Sequence, residues 1–144
     1  MTTITSFSFD IIKEKSALYE KNIMDDNFTL AGELFAKNFI DSDKEIFAII
    51  LLDEKKKVIG INEVSIGSLN ASVVHPREVF KVALAAKAKY IIAGHNHPSG
   101  CLEPSKEDEK TTKRLMQCGN AIDIKVLASL ILGIDGDGTN YKII

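Results

Sequence analysis

The spacing of apolar side chains along the chain predicts an alternation of helices and strands. Apolar positions recur at helical intervals from residue 29 to about residue 41, again after Pro76, and again from Ser105 to Gly119. Between and after these helices lie apolar runs of strand length at 45–52, 58–66, 90–95, 124–134 and 141–144. The order helix, strand, strand, helix, strand, helix, strand, strand predicts an α/β fold with a mixed sheet flanked by helices.

Local signals refine several of these elements. Segment 45–52 is apolar throughout after Glu45, which predicts a central strand buried on both faces. Pro76 favours the start of the second helix because its missing N–H does no harm in a first turn. His75 precedes it and is interpreted as a polar cap, while Gly119 is interpreted as the residue that ends the third helix. An Asp-Gly turn at 135–138 is predicted to join the last two strands.

Length and charge limit the possible partners. The 144 residues suit one domain, which we expect to cover 28–144, with 1–27 as an N-terminal arm or peripheral segment. The 18 basic and 20 acidic residues are spread along the chain and give a net charge of −2, so DNA binding is weakly supported. Two cysteines are too few for a disulfide scaffold, and neither a signal peptide nor a membrane-spanning run is found. These features predict a cytoplasmic protein with no membrane partner.

The candidate chemistry lies in the segment that follows the strand at 90–95. His95 and His97 are two residues apart, so in an extended chain both imidazoles project to the same side. Asp108 lies eleven residues beyond His97, after a loop long enough to bring an early-helix carboxylate back to the strand end. Two imidazoles and one carboxylate are a typical ligand set for catalytic zinc, which keeps a water in its fourth position.

Two further residues are candidates for catalysis. Water activated by zinc needs a group that accepts its proton, and Glu63 is our candidate because it is a carboxylate within the apolar run 58–66. Ser105, three residues before Asp108, is predicted to donate a hydrogen bond to the oxyanion that forms in the transition state.

Each of these assignments has a structural alternative. The two histidines are also compatible with hydrogen-bonded residues at a strand end, and Ser105 with Asp108 also forms the S-x-x-D pattern of a helix capping box. Glu63 is compatible with the exposed side of an edge strand. Glu78 is a competing carboxylate, although an acid in a first helical turn is expected for the helix dipole alone. Cys101 lies in the loop between His97 and Asp108 and is a candidate fourth ligand that would close the site.

The motifs resemble a known family. The pattern H-x-H-P-x-G at 95–100, followed by P-S-x-x-D at 104–108 with Glu63 upstream, is similar to the JAMM (MPN-type) metalloprotease signature. The string V-H-P-R-E at 74–78 resembles the RadC-like branch, and the likeness covers about residues 44–144. It implies a single cytidine-deaminase-like α/β domain with zinc held by His95, His97 and Asp108. It also implies Glu63 as general base and Ser105 as oxyanion helper. A zinc deaminase would instead need H-x-E and P-C-x-x-C, and neither occurs here.

The resemblance predicts a zinc-dependent peptidase or isopeptidase acting on a protein or peptide substrate. Two departures from the family keep other hypotheses open. RadC-type proteins usually carry a helix-hairpin-helix region that the 40-odd leading residues are too short to form, and Ala128-Ser129 stand where relatives usually carry Asp-His. The alternatives are a non-catalytic protein- or DNA-binding module linked to DNA repair or a mobile element, and a structural relative without a metal.

Overall fold

The computed structural model describes residues 28–39, 43–67, 74–133 and 140–144. These residues form helices and strands in the predicted order: α1 (Thr29–Phe39), β1 (Ile46–Leu52), β2 (Val58–Ile66), α2 (Pro76–Ala85), β3 (Tyr90–Asn96), α3 (Lys106–Ala121), β4 (Lys125–Leu132) and β5 (Tyr141–Ile143). The predicted α/β class is therefore confirmed. The proposed N-terminal arm and the Asp-Gly turn at 135–138 lie outside the described residues.

All five strands belong to one mixed sheet with the order β2-β1-β3-β4-β5. β1 is antiparallel to both β2 and β3, β3 is parallel to β4, and β4 is antiparallel to β5. Every residue of β1 is buried, which explains why its sequence is apolar throughout. Because α3 connects the parallel strands β3 and β4, its first turn lies beside the carboxyl end of β3.

The two faces of the sheet carry separate cores. One face, here called the α1 face, packs against α1, and the other, the α2/α3 face, packs against α2 and α3. The α1 face includes Ala48, Ile50, Leu52, Ile92 and Leu130 beneath Leu34 and Phe35. The α2/α3 face includes Phe47, Ile49, Leu51, Ile91 and Val126 beneath Val79, Phe80 and Leu115. Cross-strand partners share a face, so His95, which pairs with Phe47, lies on the α2/α3 face.

The predicted end of β3 and the predicted cap of α2 were both wrong. β3 extends one residue beyond His95 to include Asn96, because Asn96 still pairs with Leu132 of the parallel strand β4. His75 occupies the N-cap position of α2, but its side chain makes no capping hydrogen bond. The His75 carbonyl instead accepts the N–H of Glu78 at 2.9 Å. Imidazole is not among the short side chains that reach the first free N–H groups of a helix.

Gly119 does not end α3, which continues to Ala121. The left-handed residue is Asp123, with a φ of 61°, and the chain then turns back so that the Ile124 N–H donates to the Gly119 carbonyl at 2.9 Å. A Cβ on Gly119 would clash with the Ile124 carbonyl oxygen. The glycine is therefore required by the close approach of the returning chain and not by helix termination.

Replacing Gly119 by alanine is expected to lower the free energy of unfolding by about 1–3 kcal/mol, the usual cost of overpacking a well-packed site. The gain in helix propensity of about 1 kcal/mol offsets only part of the backbone clash. Gly60→Ala is the matched control, because a Cβ on Gly60 meets nothing within 4 Å. Urea denaturation measures both variants, and equal stability of the two would contradict this account of Gly119.

No helix of the described segments is long and apolar enough to cross a membrane. The longest of them, α3, has 16 residues and carries charged side chains along its exposed side.

Candidate metal centre

The carboxyl end of β3 and the first turn of α3 bring three metal-ligating side chains together. The Nε2 atoms of His95 and His97 lie 3.1 Å apart. Asp108 Oδ1 is 3.3 Å from His95 Nε2, and Asp108 Oδ2 is 3.3 Å from His97 Nε2. These residues form the one group in the described part of the chain with the composition and spacing of a metal site.

The three side chains lie close enough together to share one metal ion. Two ligands of one zinc ion, each 2.0–2.1 Å from it, lie no more than about 4.2 Å apart. The two Nε2 atoms lie 3.1 Å apart, and each lies 3.3 Å from a different oxygen of the Asp108 carboxylate. Two imidazoles and a carboxylate are also the donor set that zinc accepts. The residues present therefore fit a zinc ion.

A backbone carbonyl orients the His97 ring. His97 Nδ1 lies 2.7 Å from the carbonyl oxygen of Cys101, and because a carbonyl only accepts, Nδ1 donates. In the neutral ring, Nε2 is then the unprotonated nitrogen that faces His95 and Asp108. The Cys101 thiol, our candidate fourth ligand, is exposed and is not part of the metal-ligating group formed by the described residues. Cys101 contributes its carbonyl group instead.

His95 is the buried member of the group. The residue is only 3% exposed, and its ring stacks on Phe47 with ring centroids 6.0 Å apart. Within the described structure its Nδ1 atom is buried without a hydrogen-bond partner. An unpaired buried polar group costs about 1–3 kcal/mol. This nitrogen is not the one that meets His97 and Asp108, so an ion held by Nε2 would leave it unpaired.

Asp108 belongs to a capping box and faces the histidines at the same time. The Ser105 hydroxyl accepts the Asp108 N–H at 3.0 Å, and Asp108 Oδ2 accepts the Ser105 N–H at 2.8 Å. The capping box that the S-x-x-D pattern suggested is thus present, and it fixes the carboxylate in the orientation that meets the two imidazoles. Capping and metal ligation are compatible because a carboxylate has two oxygens with several lone pairs.

The electrostatic surroundings keep Asp108 ionised. Burial alone raises its pKa, but the His95 imidazole and the Ser105 backbone N–H outweigh burial, so the pKa of Asp108 is held well below its usual range. A metal ligand must be deprotonated to bind. The Asp108 carboxylate meets that condition.

Ser105 and Glu63, the two residues predicted to be catalytic, lie outside the metal-ligating group. Ser105 is exposed at the start of α3, and its hydroxyl accepts one hydrogen bond while its own proton remains available for donation. Glu63 is exposed on β2 and is not part of the group formed by His95, His97 and Asp108. Its cross-strand partner is Ala48, a residue of the α1 face, whereas His95 lies on the α2/α3 face. At this point the β1–β2 register shifts and leaves Val64 as an extra residue. Such a β-bulge redirects neighbouring side chains and is common beside active sites. The catalytic roles of Glu63 and Ser105 remain predictions.

The competing carboxylate Glu78 is engaged elsewhere. Glu78 lies in the first turn of α2 and accepts a hydrogen bond from Lys81. This hydrogen bond holds the pKa of Glu78 below its ordinary value. The sequence interpretation of Glu78 as a structural residue of the helix start agrees with this contact.

Positions 128 and 129 fill the core of β4. Ala128 lies on the α1 face among the residues packed there. Ser129 is buried beside its cross-strand partner Ala93, on the α2/α3 face two residues before Ile131, the partner of His95. Neither residue belongs to the metal-ligating group of the described segments, which is consistent with treating them as packing residues.

Asn96 is a site residue to which we assigned no role from the sequence. It lies between the two histidines in the sequence, and its side chain is buried. Its Oδ1 accepts the Ile46 N–H at 2.6 Å, and its Nδ2 donates to the Lys44 carbonyl at 3.0 Å. The available signal was a single amide at the end of an otherwise apolar buried strand, where a polar group needs a partner.

Comparison with known proteins agrees with the geometry of the site. Residues 26–141 match the family model described as the RadC-like JAB domain. The chain belongs to this family. The predicted resemblance to the RadC-like JAMM (MPN-type) proteins is therefore confirmed, and the five-stranded mixed sheet with its helices is consistent with a JAB fold.

Several UPF0758 proteins are similar to this RadC-like JAB domain. A UPF0758 protein of Caldanaerobacter subterraneus subsp. tengcongensis is 54% identical over 99 residues, which is 69% of this chain and 42% of that protein. A UPF0758 protein of Clostridioides difficile is 50% identical over 99 residues, with the same coverage of 69% and 42%. One from Staphylococcus carnosus is 44% identical over 103 residues, which is 72% of this chain and 46% of that protein. The chain thus spans less than half the length of these curated relatives.

Proposed function

We propose that this RadC-like JAB domain is a zinc-dependent hydrolase that cleaves a peptide or isopeptide bond. The observation that carries the proposal is the convergence of His95 Nε2, His97 Nε2 and the Asp108 carboxylate at separations of 3.1–3.3 Å. Membership of the JAB family supports a hydrolytic metalloenzyme as the general class. The three residues would hold the ion through two imidazoles and one carboxylate.

When bound, zinc in such a site lowers the pKa of a coordinated water towards about 7 and polarises the carbonyl group of the substrate. The protein contributes the orientation of the ligands. The Cys101 carbonyl holds the His97 ring, and the Ser105 capping box holds the Asp108 carboxylate. These outer contacts reduce the reorganisation that the site would otherwise need.

In this proposal Glu63 transfers the proton and Ser105 stabilises the oxyanion. The Glu63 carboxylate accepts a proton from the attacking water and delivers it to the leaving amine, as a general base and then a general acid. The Ser105 hydroxyl donates a hydrogen bond to the oxyanion of the tetrahedral intermediate while still accepting the Asp108 N–H. The exposure of both side chains supports this proposal because a polypeptide substrate must reach them.

The charge of the whole chain supports a polypeptide substrate over DNA. Its 18 basic and 20 acidic residues give a net charge of −2, and binding of a phosphate backbone depends on neutralisation by lysine and arginine. The helix α3 beside the candidate metal centre carries both signs, because the acids of its first turn are accompanied by Lys106, Lys110, Lys113 and Arg114.

The test uses the full chain purified without chelators. We expect stoichiometric zinc by mass spectrometry, cleavage of members of a peptide and isopeptide library, loss of cleavage after removal of the metal, and recovery on adding zinc. Protein that binds no zinc would overturn the proposal. Stoichiometric zinc without cleavage, together with salt-sensitive binding of branched DNA in fluorescence anisotropy, would instead support the non-catalytic binding module.

A further inference from the structure

The side-chain amide of Asn96 continues the hydrogen-bond ladder between β1 and β3 beyond its last backbone pair. Backbone pairing of the two strands ends at Phe47 and His95. One residue further, Asn96 Oδ1 accepts the Ile46 N–H at 2.6 Å and Nδ2 donates to the Lys44 carbonyl at 3.0 Å. The amide supplies the acceptor and the donor that a peptide group would supply at this place.

This extra pairing fastens the part of the chain that carries both imidazoles. His95 is the last residue paired with β1, and His97 follows the end of β3. On the other side, the His97 N–H donates to the Leu132 carbonyl of β4 at 3.3 Å, a long hydrogen bond. Backbone pairing with β4 continues as far as Asn96 and Leu132. The carboxyl end of β3 is therefore held to β4 by its backbone and to β1 by the Asn96 side chain, which is only 6% exposed.

The segment that Asn96 holds also contacts β2. The Gly67 N–H, one residue past the end of β2, donates to the Glu45 carbonyl at 2.8 Å. Residues 44–46 thus join the histidine end of β3 to the end of the strand that carries Glu63. A shift of this segment would move both parts of the candidate site relative to each other.

We propose that Asn96 is a positioning residue of the metal centre, whose side-chain amide keeps the Nε2 atoms of His95 and His97 at the separation that a shared ion requires. The inference rests on the proposed function for the identity of that ion. A purely structural role would make Asn96 important for stability without any specific effect on the imidazoles, so the test compares variants of similar stability.

The comparison uses Asn96→Leu, which keeps the volume and removes both hydrogen bonds, and Ile92→Ala. Ile92 is fully buried in the same strand, but its side chain lies on the α1 face, opposite to that of His95. Its truncation is therefore expected to destabilise the core without changing the surroundings of the imidazoles. We expect Asn96→Leu to bind zinc about 10- to 100-fold more weakly in competition with a chromogenic chelator, the range found for residues that orient ligands. Its Co²⁺-substituted form should show altered visible absorption. Ile92→Ala should retain the wild-type affinity and absorption even where its melting temperature falls as far.

Wild-type zinc affinity and Co²⁺ absorption in Asn96→Leu would overturn the inference, and so would an equal loss in Ile92→Ala. If Asn96→Leu does not fold, Asn96→Ser provides the same comparison, because the shorter serine side chain cannot make both hydrogen bonds of Asn96 but leaves a polar group at the buried site. Crystal structures of the metal-free variants supply a readout that needs no zinc. In Asn96→Leu or Asn96→Ser we expect the two Nε2 atoms to move from 3.1 Å by more than about 0.5 Å, the tolerance of a functional constellation.

The metal-free structures separate the two proposals. Wild-type protein that binds no zinc would overturn the proposed hydrolase, while the Nε2 separation in the variants would still decide the role of Asn96. An unchanged separation would overturn the positioning role even if zinc binds to the wild type.

Discussion

Replacing Glu63 by glutamine is expected to lower the rate of amide hydrolysis by about 10²- to 10⁴-fold, the usual contribution of a general base. Glutamine has nearly the same shape and still forms hydrogen bonds, but it cannot accept a proton from the attacking water. Because Glu63 is outside the metal-ligating group, zinc content should remain at the wild-type level. Single-turnover hydrolysis and metal analysis on the same preparation measure both quantities.

Glu54→Gln is the matched control for this prediction. Glu54 is an exposed glutamate in the turn between β1 and β2, so the variant makes the same change in charge within the same hairpin. It should hydrolyse the substrate at the wild-type rate. Full activity of Glu63→Gln would remove the glutamate from the mechanism, and loss of zinc in that variant would show that it supports the metal instead.

The elements that could be predicted from the sequence are those in which burial dictates the residue type. β1 is buried on both faces, so every position must be apolar, and the pattern alone identifies a central strand. The convergence of the two histidines could also be predicted, in this case from the alternation of side chains along a strand. Their spacing of two residues puts both rings on one side of an extended chain, and the structure places their Nε2 atoms 3.1 Å apart.

Features that depend on a distant part of the chain could not be predicted in this way. Gly119 resembled a helix stop, but its requirement comes from the Ile124 carbonyl, which approaches only after the chain has turned back. The face to which Glu63 belongs depends on the bulge at Val64, because one extra residue reverses the alternation of side chains along a strand. The alternation within 58–66 contains no mark of that insertion.

The two interpretations of Ser105 and Asp108 were not exclusive, and the structure shows why. The capping box uses the Asp108 N–H and one of its oxygens, while both oxygens lie within 3.3 Å of an imidazole nitrogen. A motif with a structural explanation therefore also serves the candidate metal centre. The same reciprocal bonds allow the two functions to be separated by substitution.

Replacing Asp108 by asparagine is expected to weaken zinc binding by more than about 100-fold, beyond the loss caused by removing a residue that only orients a ligand. Asparagine retains a carbonyl oxygen that can accept the Ser105 N–H, so the capping box and the start of α3 should survive. The negative charge that attracts the ion is lost. Isothermal titration with zinc and urea denaturation of the metal-free protein measure the two effects.

Ser105→Ala is the reciprocal variant, because it removes the hydroxyl that accepts the Asp108 N–H and leaves the carboxylate in place. Loss of this cap should lower the free energy of unfolding by about 0.5–2 kcal/mol. Its zinc affinity should fall less than that of Asp108→Asn, because the three donor atoms remain. Zinc affinity in Asp108→Asn equal to that of the wild type would show that the carboxylate only caps α3, and the proposed metal centre would then lack its third ligand.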